Sequence, residues 1–336
     1  MSTPSNSEEN NKQCQSTSND ATTGTTQLQK RGKIILLGDS ITQMSFSAEL
    51  SGWGSYIADI YQRRCDVYNR GMSGYNTDWF LRYLNTKEGE FDVFGMMADT
   101  DSSNNSVKLV TIFFGANDAS CIVKNPRHHV PLSRFELNLK EIVSKCQMHY
   151  GQSVKFIFIT PPPVCHQSRL EFQIKKFKEK ATGELERTLQ LSGAYANVVE
   201  RVAKELKVPC LNVWKEMQEG LSTSTETSSS LDGETKEVKE GEKHPWSIYL
   251  SDGLHLSREG NLFVGKRLAT LISQVYPDIT VKGCPFTNYT GNSGSKGGLG
   301  LGNEGGIGPW HDEIDHLDAE TAFNSKTSSH KKRKVQ

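Results

Sequence analysis

Ser40 ends the stretch Lys33-Ile34-Ile35-Leu36-Leu37-Gly38-Asp39-Ser40 and is followed by Ile41-Thr42. A short apolar run bounded by such residues predicts a strand buried on both faces, so Ser40 falls on a strand-to-helix turn. Backbone N–H groups and the helix dipole at such a turn favour developing negative charge, which suits a nucleophile; the same serine would serve equally as an inert helix cap. A serine nucleophile needs a base, and the base needs an acceptor that holds its tautomer. Asp252-Gly253-Leu254-His255 offers both from one turn, although Asp-Gly is also an ordinary turn signal. A tetrahedral intermediate further needs donors aimed at its oxyanion. The Asn117 side chain in Gly115-Ala116-Asn117-Asp118 and the Gly74 backbone N–H in Gly71-Met72-Ser73-Gly74-Tyr75 are candidates, each otherwise a plain turn or hinge residue.

Other chemistries find little in the chain. There is no Gly-x-Ser-x-Gly elbow, no His-Glu-x-x-His, no Cys-x-x-Cys, no calcium loop and no phosphate-binding Walker loop, so no metal and no cofactor is predicted. Asp39 and Asp118 flank the two candidate loops and read as braces rather than as a catalytic carboxylate pair. Cys121, four residues past Asn117, reads as a buried inert thiol.

The elements that must hold these residues alternate. Apolar runs at 33–37, 109–114, 154–159 and 208–213, with 66–69 as a weaker fifth, predict strands. Between them lie stripes at helical spacing: Tyr56, Ile57, Ile60 and Tyr61; Phe135, Leu139, Ile142, Val143 and Cys146, with Ser133 as N-cap; and Val198, Val199, Val202 and Leu206. After His255 comes a further helix, capped by Ser257 and carrying Leu262, Phe263, Leu268, Leu271 and Ile272. Strands alternating with helices imply an α/β fold, a five-stranded parallel sheet with helices on both faces in three layers, α/β/α. The flavodoxin-like order 2-1-3-4-5 then opens a crevice between the carboxyl ends of the first and third strands, where Ser40 and Gly115–Asp118 emerge.

Composition bounds the rest. Lysine plus arginine and aspartate plus glutamate number 39 each in 336 residues, so no global field selects nucleic acid or an anionic membrane. No run of about 18 apolar residues exists, so no membrane span is expected. Seven cysteines without paired spacing, and no apolar leader, predict free thiols in a reducing compartment. Residues 1–30 read as a disordered polar tail. Residues 31–282 read as the folded domain, with polar inserts at 86–106 and 218–243, and 283–336 as a glycine-rich linker and basic tail. Cytosol is the expected location, with Lys331, Lys332, Arg333 and Lys334 as a candidate nuclear signal against the plainer reading of a solvated tail. Oligomeric state stays open.

Taken together, Gly-Asp-Ser-Ile-Thr, Arg-Gly-Met-Ser-Gly-Tyr, Gly-Ala-Asn-Asp and Asp-Gly-Leu-His, in that order, resemble the four blocks of the SGNH (GDSL-type) hydrolase superfamily. Phe-Phe-Gly-Ala-Asn-Asp-Ala at 113–119, Val-Pro-Leu at 130–132 and Ser-Asp-Gly-Leu-His-Leu-Ser at 251–257 look more narrowly like the isoamyl acetate-hydrolysing esterases. The resemblance implies Ser40 as nucleophile, His255 as base and Asp252 as its partner. It also implies an oxyanion hole made of the Ser40 and Gly74 amides and the Asn117 side chain. The implied activity is hydrolysis of small carboxylic esters, acetates of short alcohols first, through an acyl-enzyme. Two rivals stand beside it: deacylation of acetylated sugars or acyl-thioesters, and a lapsed hydrolase serving as a binding module.

Overall fold

The computed structural model describes residues 31–95, 107–219 and 243–279. The tails at 1–30 and 283–336, the candidate nuclear signal, and most of both expected inserts lie outside the described residues.

Five parallel strands form one sheet in the order β2-β1-β3-β4-β5. They are β1 (Gly32–Gly38), β2 (Cys65–Gly71), β3 (Val107–Phe113), β4 (Lys155–Ile159) and β5 (Cys210–Leu211). This is the expected α/β architecture in the expected order. Alternate residues of each strand feed opposite layers, as the pleat requires. Ile35, Leu37, Val110, Ile112, Phe156 and Phe158 pack on one side, with α3 (Thr77–Leu84), α5 (Leu132–Tyr150) and α7 (Leu189–Leu206). Ile34, Leu36, Leu109, Phe113, Ile157 and Ile159 pack on the other, with α2 (Trp53–Ile60) and α9 (Arg258–Val275). Burying such a side chain is worth about 1.5–3 kcal/mol, so both layers are needed to repay an uninterrupted apolar run.

Register fixes where the loops emerge. Gly38 at the end of β1 pairs with Gly71 of β2 on one side and Phe113 of β3 on the other. The three strands therefore end level, and the segments after them, Asp39-Ser40, Met72–Tyr75 and Phe114–Asp118, leave the sheet side by side. Met72 N–H donates back to the Gly38 carbonyl at 2.9 Å, tying the second segment to the first.

Three local expectations need correction. The run at 208–213 yields only the two-residue β5, because Asn212 ends the strand. Its Oδ1 accepts the Lys215 N–H at 2.9 Å and so caps α8 (Val213–Glu219). Ser133 is not a cap: α5 starts one residue earlier, behind Pro131. The polar stretch from 86 opens as a helix, α4 (Lys87–Val93), capped by Thr86 through the Gly89 N–H at 3.0 Å, and Val93 and Phe94 join the core.

Candidate functional site

Ser40 is the first residue of α1 (Ser40–Gln43), a one-turn helix directly after β1. Asp39 caps it, its Oδ1 accepting the Ile41 N–H at 2.9 Å. Both residues are buried, which removes solvent from the turn. Ser40 Oγ lies 3.0 Å from His255 Nε2, across 215 positions of sequence.

His255 sits on a closed loop. Leu250 and Leu256 form an antiparallel bridge, and the Ser251 N–H donates to the His255 carbonyl at 2.8 Å. Leu250, Leu254 and Leu256 are buried and root the loop in the core. Asp252 lies across the ring, its Oδ2 2.9 Å from His255 Nδ1. Its Oδ1 accepts the Leu254 and His255 N–H groups at 3.0 and 2.8 Å. Gly253, at the tip, has φ +81°, and a Cβ there would come within 2.4 Å of the Arg169 nitrogen and 2.6 Å of the Cys165 oxygen. Only glycine lets the loop seat against the start of α6 (His166–Phe177), where the Cys165 N–H donates to the Gly253 carbonyl at 3.0 Å.

Arg169 of α6 donates from Nη1 to the same Asp252 Oδ2 at 2.8 Å. Burial alone would raise the pKa of Asp252, but the hydrogen bonds and charge of His255, with the Arg169 guanidinium behind them, hold its carboxyl well below the usual range. Asp252 is thus a fixed anion, accepting four hydrogen bonds.

Asn117 follows β3 and is buried. One N–H of its amide donates to the Tyr75 carbonyl at 2.9 Å, and its Oδ1 accepts Arg187 Nη2 at 2.9 Å. Gly74, next to Tyr75, has φ +80° and open space where a side chain would point, so its backbone stays approachable. Asp118 Oδ1 accepts the Thr77 N–H at 2.9 Å and its hydroxyl at 2.5 Å, clamping α3 to this loop. Burial pushes Asp118 up to about 7 and Asp39 up to about 6. Cys121 is half-buried rather than buried.

The structure therefore joins Ser40, His255 and Asp252 in one hydrogen-bonded chain. It sets Asn117 and Gly74 on the two neighbouring loops, with Tyr75 linking them. The outer side of Tyr75, with Trp79, Tyr83, Arg82, Thr86 and Arg127, lines an open cleft of about 460 Å³. Among the described residues no cluster of His, Cys, Asp or Glu is arranged as a metal site, and no helix is long and apolar enough to cross a membrane. Arg169 and Arg187 escaped the sequence reading. Each stands 70 or more positions from its partner, and no periodic or spacing signal announces a side chain that reaches that far.

A GDSL-like lipase/acylhydrolase family model matches residues 34–268. A GDSL esterase/lipase of Arabidopsis thaliana is 37% identical over 246 residues, covering 73% of this chain and 87% of its own. The isoamyl acetate-hydrolyzing esterase 1 homolog of Bos taurus is 36% identical over 242 residues, covering 72% and 82%. Among solved structures, the lipase/acylhydrolase from Enterococcus faecalis matches at 24% identity and a TM-score of 0.46, covering 72% of this chain and 96% of its own.

Proposed function

We propose that this chain, which belongs to the GDSL-like lipase/acylhydrolase family and is a carboxylic ester hydrolase, cleaves small esters, acetates of short alcohols first, by acyl transfer to Ser40. The observation that carries the proposal is the hydrogen-bonded chain from Ser40 Oγ through His255 to Asp252.

In this reading His255 Nε2 takes the hydroxyl proton as Ser40 Oγ attacks the carbonyl carbon. Asp252 holds the other ring nitrogen as an N–H donor and balances the imidazolium that forms. The carbonyl oxygen becomes an oxyanion among the Ser40 and Gly74 amides and the second N–H of Asn117. The tetrahedral intermediate collapses, the C–O bond to the alcohol breaks, and His255 returns the proton to the leaving oxygen. Water then enters by the same route: His255 takes its proton, hydroxide adds to the acyl carbon, and Ser40 leaves with the proton restored. The acetate preference draws on the likeness to the isoamyl acetate-hydrolyzing esterase 1 homolog of Bos taurus.

Two measurements test this. A fluorophosphonate probe should label Ser40 in the wild-type protein and not in Ser40→Ala; labelling elsewhere, or a Ser40→Ala enzyme with full turnover, refutes the serine mechanism. A panel of alkyl acetates, acetylated sugars and acyl-thioesters at fixed enzyme concentration tests the substrate class. Faster turnover of the sugars or thioesters would replace the acetate reading.

A further inference from the structure

Arg187 is a buried cation in the turn before α7, with its side chain inside the molecule. A buried guanidinium is expensive unless its donors are spent well. Here Nε donates to the Ala116 carbonyl at 2.8 Å, Nη2 to Asn117 Oδ1 at 2.9 Å, and Nη1 to Glu186 Oε1 at 2.5 Å. Only one partner is a carboxylate; the other two belong to consecutive residues of the loop that carries Asn117. Glu186 in turn faces Arg169 Nη2 at 3.6 Å, behind Asp252.

The carboxamide of Asn117 has one acceptor and two N–H donors. Arg187 can only donate and the Tyr75 carbonyl can only accept, so together they permit one of the two flips. The reverse flip would set N–H against N–H and oxygen against oxygen. In the permitted flip one N–H goes to Tyr75, and the second is left for a ligand oxygen.

We infer that Arg187 is a positioning residue of the esterase site. Its fork, spanning the Ala116 carbonyl and Asn117 Oδ1, holds the Asn117 amide with its second N–H turned to the oxyanion. This rests on the reading of Asn117 as an oxyanion donor. Hydrogen bonding from a cation to Oδ1 also draws electron density from the amide nitrogen and makes its N–H a stronger donor, since linked hydrogen bonds polarise one another.

Steady-state kinetics on p-nitrophenyl acetate with Arg187→Gln, Asn117→Ala and the double variant test the assignment, with a thermal melt on each to establish folding. Arg187→Gln should lower kcat by between roughly 10-fold and the 10²–10³-fold expected for deleting the donor itself, with KM held within about twofold. The double variant should be no slower than Asn117→Ala alone, because Arg187 acts through that amide. Wild-type kcat in Arg187→Gln, or a double variant whose loss is the product of the single losses, overturns the assignment. If the glutamine variant fails to fold, Arg187→Lys enters the same cycle. One ammonium cannot span both oxygens, so a kcat loss that disappears in the Asn117→Ala background supports the role of the fork, and full wild-type kcat overturns it. Wild-type kcat in Asn117→Ala would overturn the oxyanion reading and Arg187 with it, whereas a slow Asn117→Ala beside an intact Arg187→Gln overturns Arg187 alone.

Discussion

Asp252 holds His255 twice, its Oδ2 2.9 Å from the imidazole Nδ1 and its Oδ1 accepting the backbone N–H of the same residue at 2.8 Å. One carboxylate therefore orients both the ring and the peptide that carries it. Rotating the ring about its own bonds would not free the residue, because the backbone stays anchored.

Asp252→Asn should accordingly lower kcat by up to about 10⁴-fold with little change in KM, since an amide can present an N–H to Nδ1 and select the wrong tautomer. It should also be less stable at neutral pH. The wild-type carboxyl is held below its unfolded value, so its contribution is present above pH 4 and is lost as pH falls toward its folded value. Thermal melts from pH 7 to pH 2 should show the wild type and Asp252→Asn converging; a gap that stays constant would contradict the charge argument.

Gly253→Ala is expected to cost about 1–3 kcal/mol, because φ of +81° and a backbone 2.4 Å from the new Cβ both oppose it. Activity should fall further than stability alone accounts for, since the loop must move away from α6 and takes His255 with it. Denaturant unfolding and kcat measured on the folded fraction check this. Unchanged kcat would mean that the seat on α6 does not set the ring.

Asp118 gives the opposite pH dependence from Asp252. Its folded value, about 7, lies above the unfolded one, so its burial is unopposed at low pH and costs stability as pH rises from about 4 to 7. Asp118→Asn removes the titration while Oδ1 can still accept from Thr77. Its melting temperature relative to wild type should therefore climb between pH 4 and pH 7 and level off above. Any fixed offset from the new amide does not vary with pH, so a flat difference across that range would count against a buried neutral carboxyl.

Much of the fold could be read from the chain because strands buried on both faces leave short, uninterrupted apolar runs, as at Lys33–Leu37 and 109–114. The candidates Ser40 and Asn117 were also easy to place, because they leave those runs directly. What escaped is long-range or short. Arg169 and Arg187 act over 83 and 70 positions through flexible side chains, and ordinary polar stretches surround both. The helix at Lys87–Val93 was hidden by its acidic composition, although Thr86 ahead of it, with Glu88 and Glu90 in its first turn, carries an ordinary N-terminal signature. The strand at 208–213 was over-read because Val213 belongs to the helix that Asn212 caps, and a buried valine looks the same in either element.

The closed loop from Leu250 to Leu256 also orders the enzyme in time. All five strands are complete by Leu211, so a ribosome that has released the sheet has released Ser40 and Asn117 but neither Asp252 nor His255. Later in the chain, α9 docks on α2, where Asn261 Oδ1 accepts the Trp53 N–H at 3.2 Å and Trp53 Nε1 donates to the Ile41 carbonyl, one residue past Ser40. That contact, together with the seat of the Asp252–His255 loop on α6, sets the distance between Ser40 and His255. On the proposed mechanism, turnover therefore requires the C-terminal helix, and a chain that carries every strand of the sheet but ends before Asp252 should leave an ester untouched.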